Sequence, residues 1–90
     1  LTPEQRVMAL NISRALFASV EYAKGHTLEE TKRMVEDAIA STDGLELEYY
    51  EIVNGTTLQT VCAWDDAEYI VGCITVYCGK VRLIDNIRYK

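Results

Sequence analysis

The 90-residue sequence has one proline, one histidine and one tryptophan, and it is short of basic side chains. Fourteen acidic residues against nine basic ones give a formal net charge of −5. This charge argues against nucleic acid or an anionic membrane as a partner of the whole chain, because both attract basic surfaces. No stretch approaches the roughly 18 apolar residues of a membrane span, and the polar N-terminal segment lacks a signal-peptide core.

Cysteine and histidine are too few for the common metal, disulfide and triad sites. The sequence has three cysteines, Cys62, Cys73 and Cys78, which is an odd number, and no two of them form a CxxC pair. We therefore expect these cysteines to be reduced, small, buried apolar side chains in a reducing cytoplasm. Zinc is disfavoured because His26 lies far away in sequence, and His26 is expected to be an exposed helix-end residue. There is no P-loop, GxGxxG or HExxH motif. We therefore predict no catalytic residue and no metal site in this chain.

The first segment with helix signals is predicted to run from Pro3 to Lys24. Thr2 is its expected N-cap, Pro3 suits the first helical position, and Gln5 closes a capping box. Gly25 is expected to end the helix in the left-handed conformation. The apolar stripe has three-to-four spacing and comprises Met8, Ile12, Leu16, Val20 and Ala23.

A second helix is predicted after a connection of about three residues. Thr27 is its expected N-cap, Glu30 completes a second capping box, and Gly44 follows its end. Its buried side is expected to comprise Leu28, Thr31, Val35, Ala38 and Ile39. Two helices joined this closely should pack as an antiparallel hairpin.

After Gly44 the apolar period changes from 3.6 to 2, which indicates strands. The segment LELEYYEIV alternates and then loses register near Tyr50 and Ile52, where we expect a bulge. Asn54-Gly55 is a turn signal, and residues 56–67 fit either a short strand or a loop with Trp64 folded beneath it.

YIVGCITVYC and VRLIDNIRY flank Gly79-Lys80, a two-residue type II′ hairpin pattern. That turn predicts that Cys78 faces Val81, Val76 faces Leu83, Ile74 faces Asp85 and Gly72 faces Ile87. The first strand of the hairpin is apolar on nearly both faces, so it should be central. The predicted fold is one α+β domain over residues 1–90, with the helix hairpin on one face of a roughly three-stranded antiparallel sheet.

Asp85 is predicted to lie on the sheet face that the helices cover. A buried carboxylate needs a partner, and the candidates are Arg14, Ser13 or backbone N–H groups at a helix start. We interpret Asp85 as a structural residue that ties the hairpin to a helix, because the sequence supplies no second acid, base or metal cluster beside it.

The other face of the same strand is basic. Residues 80–90 contain four cations against Asp85, so their local net charge is +3. Three interpretations remain open at this point. The cations could protect an edge strand from aggregation, pair across the sheet with Glu46 and Glu48, or face an anionic ligand such as a nucleotide phosphate.

Three blocks of the sequence resemble the C-terminal domain of the pantoate–β-alanine ligase family. LTPEQRVMALNISRAL is similar to the helix that follows the family's MSSRN-x-YL nucleotide loop, and Leu1 resembles the leucine just after that loop. LELEYYEIVNGTTLQTV resembles the DYVEIVDPxTL strand and turn, and GKVRLIDNI resembles the GxTRLIDNI hairpin. The match departs at Asn54-Gly55, which replaces Asp-Pro, and at Val81, which replaces Thr.

The resemblance implies an activity for a longer parent protein. Family members condense pantoate with β-alanine, using ATP and Mg²⁺, through a pantoyl adenylate, on the route to coenzyme A. The nucleotide-gripping residues belong to an N-terminal domain that this sequence does not include, so the chain is expected to be an inactive lid with no bound cofactor. Its expected partners are that domain and the parent's substrates, within a cytoplasmic homodimer. Lys80 and Arg82 are the residues expected to approach the nucleotide, and Asp85, Gly79, Gly25 and Gly44 are expected to be structural.

A second reading belongs to a different class of function. The chain could be an independent, non-enzymatic module that dimerises through an exposed sheet edge.

Overall fold

The computed structural model describes residues 2–90, so the alignment of Leu1 lies outside the described part. The element order is α1 (Pro3–Ala23), α2 (Leu28–Ala40), β1 (Leu45–Asn54), a short 3-10 helix (Trp64–Asp66), β2 (Ile70–Cys78) and β3 (Val81–Arg88). The strands form one antiparallel sheet in the order β1-β2-β3. α2 packs on β1 and α1 packs on β3, which confirms the predicted α+β fold.

Both helices begin at complete capping boxes. The Gln5 N–H donates to Thr2 Oγ1 at 3.1 Å, and the Thr2 N–H donates back to Gln5 Oε1 at 2.9 Å. Thr27 and Glu30 repeat the exchange at 3.1 and 2.8 Å. The hydrogen bond from the Thr27 backbone N–H lowers the pKa of the Glu30 carboxyl from its ordinary value.

The end of α1 differs from the prediction, because Gly25 is not left-handed. Gly44 and Gly79 have φ values of 88° and 62°, whereas Gly25 has no positive φ. The last turn of α1 stays right-handed through its C-cap Lys24. The N–H groups of Lys24 and Gly25 donate to the carbonyls three residues earlier, at 3.2 Å each. These bonds close the helix without a left-handed residue.

The hairpin of β2 and β3 has the predicted register, with all four predicted pairs observed. Gly79 has a positive φ and Lys80 does not, as a type II′ turn requires. In β1 the register shifts between Leu47 and Tyr49, so the bulge lies earlier than the predicted position near Tyr50 and Ile52. Residues 56–67 form a loop with one isolated bridge, between Val53 and Thr60, and with the 3-10 helix.

The core lies between the helix pair and the sheet. It contains the buried residues Ile12, Leu16, Leu28, Val35, Ile39, Tyr50, Ile52, Val61, Ile70, Ile74 and Val76. Met8, Val20, Ala23 and Ala38 are only partly buried, and Ser19 is fully buried instead. The prediction of buried cysteines is wrong, because Cys62 is exposed and Cys73 and Cys78 are half-buried.

Candidate functional site

The basic strand and its turn form one end of the sheet. Lys80 lies exposed in the turn after Cys78. Arg82 Nε donates to Glu48 Oε2 at 3.0 Å, and Arg82 Nη2 lies 3.0 Å from the same oxygen. This hydrogen bond, with the charge of the carboxylate, raises the pKa of Arg82. The sheet-pairing interpretation therefore holds for Arg82 and Glu48, whereas Lys80 projects into solvent.

The two remaining cations of this segment, Arg88 at the end of β3 and Lys90 just after it, both contact residues of the long loop. The Arg88 guanidinium carbon lies 4.7 Å from the centre of the Tyr69 ring, a cation–π contact. Lys90 Nζ donates to the Trp64 carbonyl at 2.9 Å. Of the two residues predicted to approach a nucleotide, Lys80 and Arg82, only Arg82 has a recorded side-chain ion pair within residues 2–90.

Strand alternation gives the sheet two unlike faces. The inner face meets the helices and the core. The outer face points away from them and is formed by Glu46, Tyr49, Glu51 and Val53 of β1, by Val71, Cys73, Thr75 and Tyr77 of β2, and by Arg82, Ile84, Asn86 and Arg88 of β3. Glu48 lies at the bulge and joins the outer face through Arg82. The outer face is therefore acidic along β1 and basic along β3.

Asp85 lies on the inner face and is half-buried. Ser13 Oγ donates to Asp85 Oδ2 at 3.0 Å, and the Asn86 backbone N–H donates to Oδ1 at 2.8 Å. The predicted partner set is thus narrowed to Ser13, and Arg14 is exposed. The carboxylate joins α1 to β3, as predicted, beside a shallow cleft of about 100 Å³ that also touches Phe17.

A chain of hydroxyl groups crosses the core, and the sequence analysis missed it. Ser19 Oγ donates to the Leu16 carbonyl at 2.5 Å and lies 2.7 Å from Tyr89 Oη, which also hydrogen-bonds to Tyr50 Oη. Burial raises the pKa values of Tyr50 and Tyr89 above the ordinary tyrosine value. The sequence does contain a hint of this hydroxyl chain. Ser19 follows Leu16 by three residues, so it lies on the buried side of α1, where a hydroxyl group needs a hydrogen-bond partner.

His26 and Trp64 form a contact at the opposite end of the domain. The His26 ring stacks on Tyr22 with centroids 3.6 Å apart, and the His26 carbonyl accepts from Trp64 Nε1 at 3.0 Å. His26 is exposed, as predicted. Its contacts give it a structural role in joining the helix connection to the long loop.

Across the described residues, no group of three histidine, cysteine, aspartate or glutamate side chains is arranged to hold a metal ion. Neither helix of residues 2–90 has the length and apolar character needed to cross a membrane. The turn carries one exposed lysine, Lys80, and α1 and the sheet carry exposed apolar side chains at Val7, Leu10, Phe17 and Ile84.

Comparison with known proteins places this geometry in a family. The family model described as pantoate-beta-alanine ligase matches residues 1–88. A pantothenate synthetase from Phocaeicola vulgatus is 60% identical over all 90 residues, and one from Porphyromonas gingivalis is 46% identical over the same span. The chain covers 32% of the length of each.

The fold agrees with the sequence comparison. A crystal structure of pantothenate synthetase from Thermus thermophilus superimposes with a TM-score of 0.85 at 31% identity, covering 99% of this chain and 32% of the other. The two-helix, three-stranded unit described above is thus one part of a longer enzyme fold in that relative. By the match over nearly its whole length, the chain belongs to the pantoate–β-alanine ligase family.

Proposed function

We propose that this chain is the C-terminal lid of a pantoate–β-alanine ligase, which makes pantothenate through a pantoyl adenylate and releases AMP. The observation that carries the proposal is the identity of 60% across all 90 residues to an enzyme of which the chain spans 32%. Pantoate, β-alanine and ATP would bind chiefly to the remaining two thirds. A homodimeric, cytoplasmic parent belongs to the same proposal.

A lid suits the chemistry of such a reaction. An acyl adenylate reacts readily with water, so a domain that closes over it protects the intermediate until the amine arrives. The covered inner face and its hydroxyl chain give this unit its own core, so it can move as one body. No step of the reaction is assigned to side chains of this chain.

The proposed contact with the nucleotide is the turn at the end of β2. Lys80 is exposed there, and Arg82 lies two residues further along β3. A lysine at the tip of a closing hairpin can approach phosphate oxygens as a point charge. Arg82 would have to share or leave its Glu48 oxygen to do the same, so we assign Lys80 the larger effect.

Magnesium belongs to the proposed reaction, and the described residues contain no group of three carboxylate, histidine or cysteine side chains arranged to hold a metal ion. Mg²⁺ commonly binds through one or two carboxylates, several waters and substrate phosphates. We assign no Mg²⁺ ligand to this chain.

A chimera tests the proposal. The part of the Phocaeicola vulgatus enzyme that does not align with this chain is joined to residues 1–90, and pantothenate and AMP formation are measured. We expect the chimera to be active and each piece to be inactive alone. Pantothenate made by the 90-residue chain alone would refute the lid, and so would a folded but inactive chimera.

Within the active chimera, Lys80→Ala should raise the KM for ATP or lower kcat severalfold, and Arg82→Ala should do so less strongly. Lys24→Ala provides the matched control, because Lys24 is an exposed lysine at the far end of α1, paired with Glu21. Unchanged kinetics in both test variants would remove the nucleotide contact from the proposal without touching the family assignment.

A further inference from the structure

The outward side of α1 carries large apolar side chains that nothing within residues 2–90 covers. Val7, Leu10 and Phe17 are 54%, 55% and 67% exposed. Leu10 and Phe17 are seven residues apart, so they lie two turns apart on the same side of the helix. Single exposed apolar residues need no explanation, whereas a row of them on one helix is typical of a surface that meets another part of a protein.

Two clefts lie beside this row of side chains and join at Ser13. The wider cleft, of about 360 Å³, lies against Arg6, Leu10 and Ser13. The narrower cleft, of about 100 Å³, lies between Ser13 and Phe17 of α1 and Asp85 of β3. We call the two clefts together the α1 groove. Since β3 is the edge strand of the sheet, no further strand within residues 2–90 covers this side of the domain.

The α1 groove contains a carboxylate without a cation. Asp85 accepts hydrogen bonds from Ser13 Oγ and from the Asn86 N–H, and none of the ion pairs within residues 2–90 involves it. Both donors are neutral, so they orient the carboxylate and leave its negative charge uncompensated. A half-buried carboxylate gains most from a cation that arrives together with apolar surface, because water is then excluded from the pair.

The α1 groove and the Lys80 turn lie toward the same end of the domain. Ser13 contacts Asp85, and further along both elements Ser19 contacts Tyr89, so α1 runs beside β3 in the same direction. The start of α1, with the wider cleft, therefore lies toward the turn that precedes β3, where Lys80 is exposed. A surface that meets the turn can meet the groove at the same time.

We propose that the α1 groove is the surface on which the rest of the ligase docks, with an arginine or lysine of that part on Asp85 and apolar side chains on Leu10 and Phe17. This inference rests on the proposed function and identifies the surface that the lid presents to its partner. Two observations select this occupant. The chain spans only 32% of the length of its relatives, and the uncompensated carboxylate requires a cation that the described residues do not supply.

The composition of the groove suits a contact that forms and breaks. A lid must open to admit substrates and to release product. Interfaces between domains of one chain are accordingly more polar than permanent interfaces between proteins. The α1 groove has this mixed character, because the exposed side chains of Leu10 and Phe17 flank a single carboxylate.

Photo-crosslinking in the active chimera tests where the groove docks. Phe17 is replaced with p-benzoylphenylalanine, and the protein is irradiated in the presence of ATP and pantoate. We expect cross-links to the part of the same polypeptide that lies outside residues 1–90, located by mass spectrometry and migrating at the monomer mass on a denaturing gel. The same replacement at Leu58 is the matched control, because Leu58 is 69% exposed but lies in the loop after β1. It should give no such link.

Two substitutions in the chimera test the chemistry of the contact. Asp85→Asn removes the charge but keeps an oxygen for Ser13, and Phe17→Ser removes a ring that is mostly exposed. Each should lower kcat/KM about fivefold, the effect of a partly exposed ion pair or apolar contact. Each should also raise the AMP released per pantothenate, because water cleaves an adenylate under a loosely docked lid to pantoate and AMP. Asp37→Asn, at an exposed position of α2, is the control and should change neither.

The outcomes separate the α1 groove from the lid itself. An active chimera in which position 17 links to the rest of the polypeptide no more than position 58 does, or links only to a second molecule, would overturn the groove and leave the lid intact. Unchanged kinetics in both Asp85→Asn and Phe17→Ser would do the same. A folded but inactive chimera would overturn the lid and the groove together. Far-UV circular dichroism checks that each variant is folded, and Phe17→Ser carries the test if Asp85→Asn is not.

Discussion

At Gly72 the core leaves no room for a side chain. A Cβ built there would lie 2.9 Å from Cε2 of Tyr89, and closer still to the Tyr50 hydroxyl oxygen. Both rings are held by the hydroxyl chain that reaches Ser19, so neither can easily move aside. The absence of a side chain at this position of the central strand therefore allows two tyrosines to meet beneath it.

We expect Gly72→Ala to destabilise the chain by about 1–3 kcal/mol through overpacking. Urea unfolding followed by circular dichroism measures the change. Gly25→Ala is the matched control, because nothing lies within 4 Å of a Cβ there and its φ is not positive. That control should be neutral or stabilising by up to about 1 kcal/mol. If the two variants were equally stable, the rings of Tyr50 and Tyr89 would have to move aside for the added methyl group, and the prediction would be wrong.

The buried tyrosines also predict an alkaline loss of stability. Tyr50 has an ordinary pKa of 10.0, and burial raises the pKa values of Tyr50 and Tyr89 in the folded chain. The unfolded chain therefore gives up these protons at a lower pH than the folded chain does. The resulting stabilisation is complete below pH 10 and is lost as the pH rises above it.

Urea midpoints measured at about pH 8 and about pH 11 test this prediction. The midpoint should fall between the two for the wild type, and it should fall less for Tyr50→Phe/Tyr89→Phe, which cannot ionise at these positions. The double variant is expected to be less stable at pH 8, because Ser19 loses a hydroxyl partner. An equal fall in both proteins would assign the effect to other groups.

At the scale of elements, the sequence predicted most where a local rule is strict. The capping boxes at Thr2 and Thr27 placed both helix starts correctly, and the two-residue turn at Gly79-Lys80 determined the whole β2–β3 register. The residues on either side of a two-residue loop must pair with each other. Once the turn at Gly79-Lys80 is assigned, all eight pairs of β2 and β3 follow.

The same reasoning was wrong where several local solutions exist. α1 could end with or without a left-handed glycine. It ends without one, because the N–H groups of Lys24 and Gly25 form hydrogen bonds that close its last turn. The bulge near Tyr49 could occur at several positions in LELEYYEIV, because tyrosine suits either face of a strand. Local sequence does not decide between such solutions, since their energies differ little until the sheet packs on the helices.

The candidate site was predicted only in part, for a related reason. Asp85 and Arg82 were found because a charge in a strand pattern is conspicuous, and their partners Ser13 and Glu48 were among the candidates. The hydroxyl chain through Ser19 was missed because it joins residues up to 70 positions apart. Contacts of that kind follow from the way α1 lies across β3, which no local pattern specifies.

At the scale of the whole molecule, the loop after β1 is tied both to the connection between the helices and to the residues that follow β3. Trp64 Nε1 donates to the His26 carbonyl between the helices at 3.0 Å, and the Trp64 ring lies 5.2 Å from the ring of Tyr89. Lys90 Nζ donates to the Trp64 carbonyl at 2.9 Å. One side chain therefore connects the α1–α2 turn, the long loop and the end of β3.

We expect Trp64→Phe to destabilise the chain by about 0.5–1.5 kcal/mol, since it keeps an aromatic ring but loses the hydrogen bond to His26. Trp64→Ala should cost more, about 2–3 kcal/mol, because the partly buried ring is lost as well. Leu58→Ala is the control from the same loop, with a side chain that is 69% exposed, and it should have little effect.

Hydrogen exchange locates the effect of the Trp64 changes. If Trp64 holds the loop against the folded unit, amides of residues 55–69 should exchange faster in Trp64→Ala, while those of Ile74 and Val76 in the central strand should change only by the loss of global stability. Uniformly faster exchange along the chain would mean that the loop belongs to the cooperative core, because its opening would then require unfolding of the sheet. The relative rates in the loop and in β2 thus decide whether Trp64 restrains a separate segment or stabilises the whole domain.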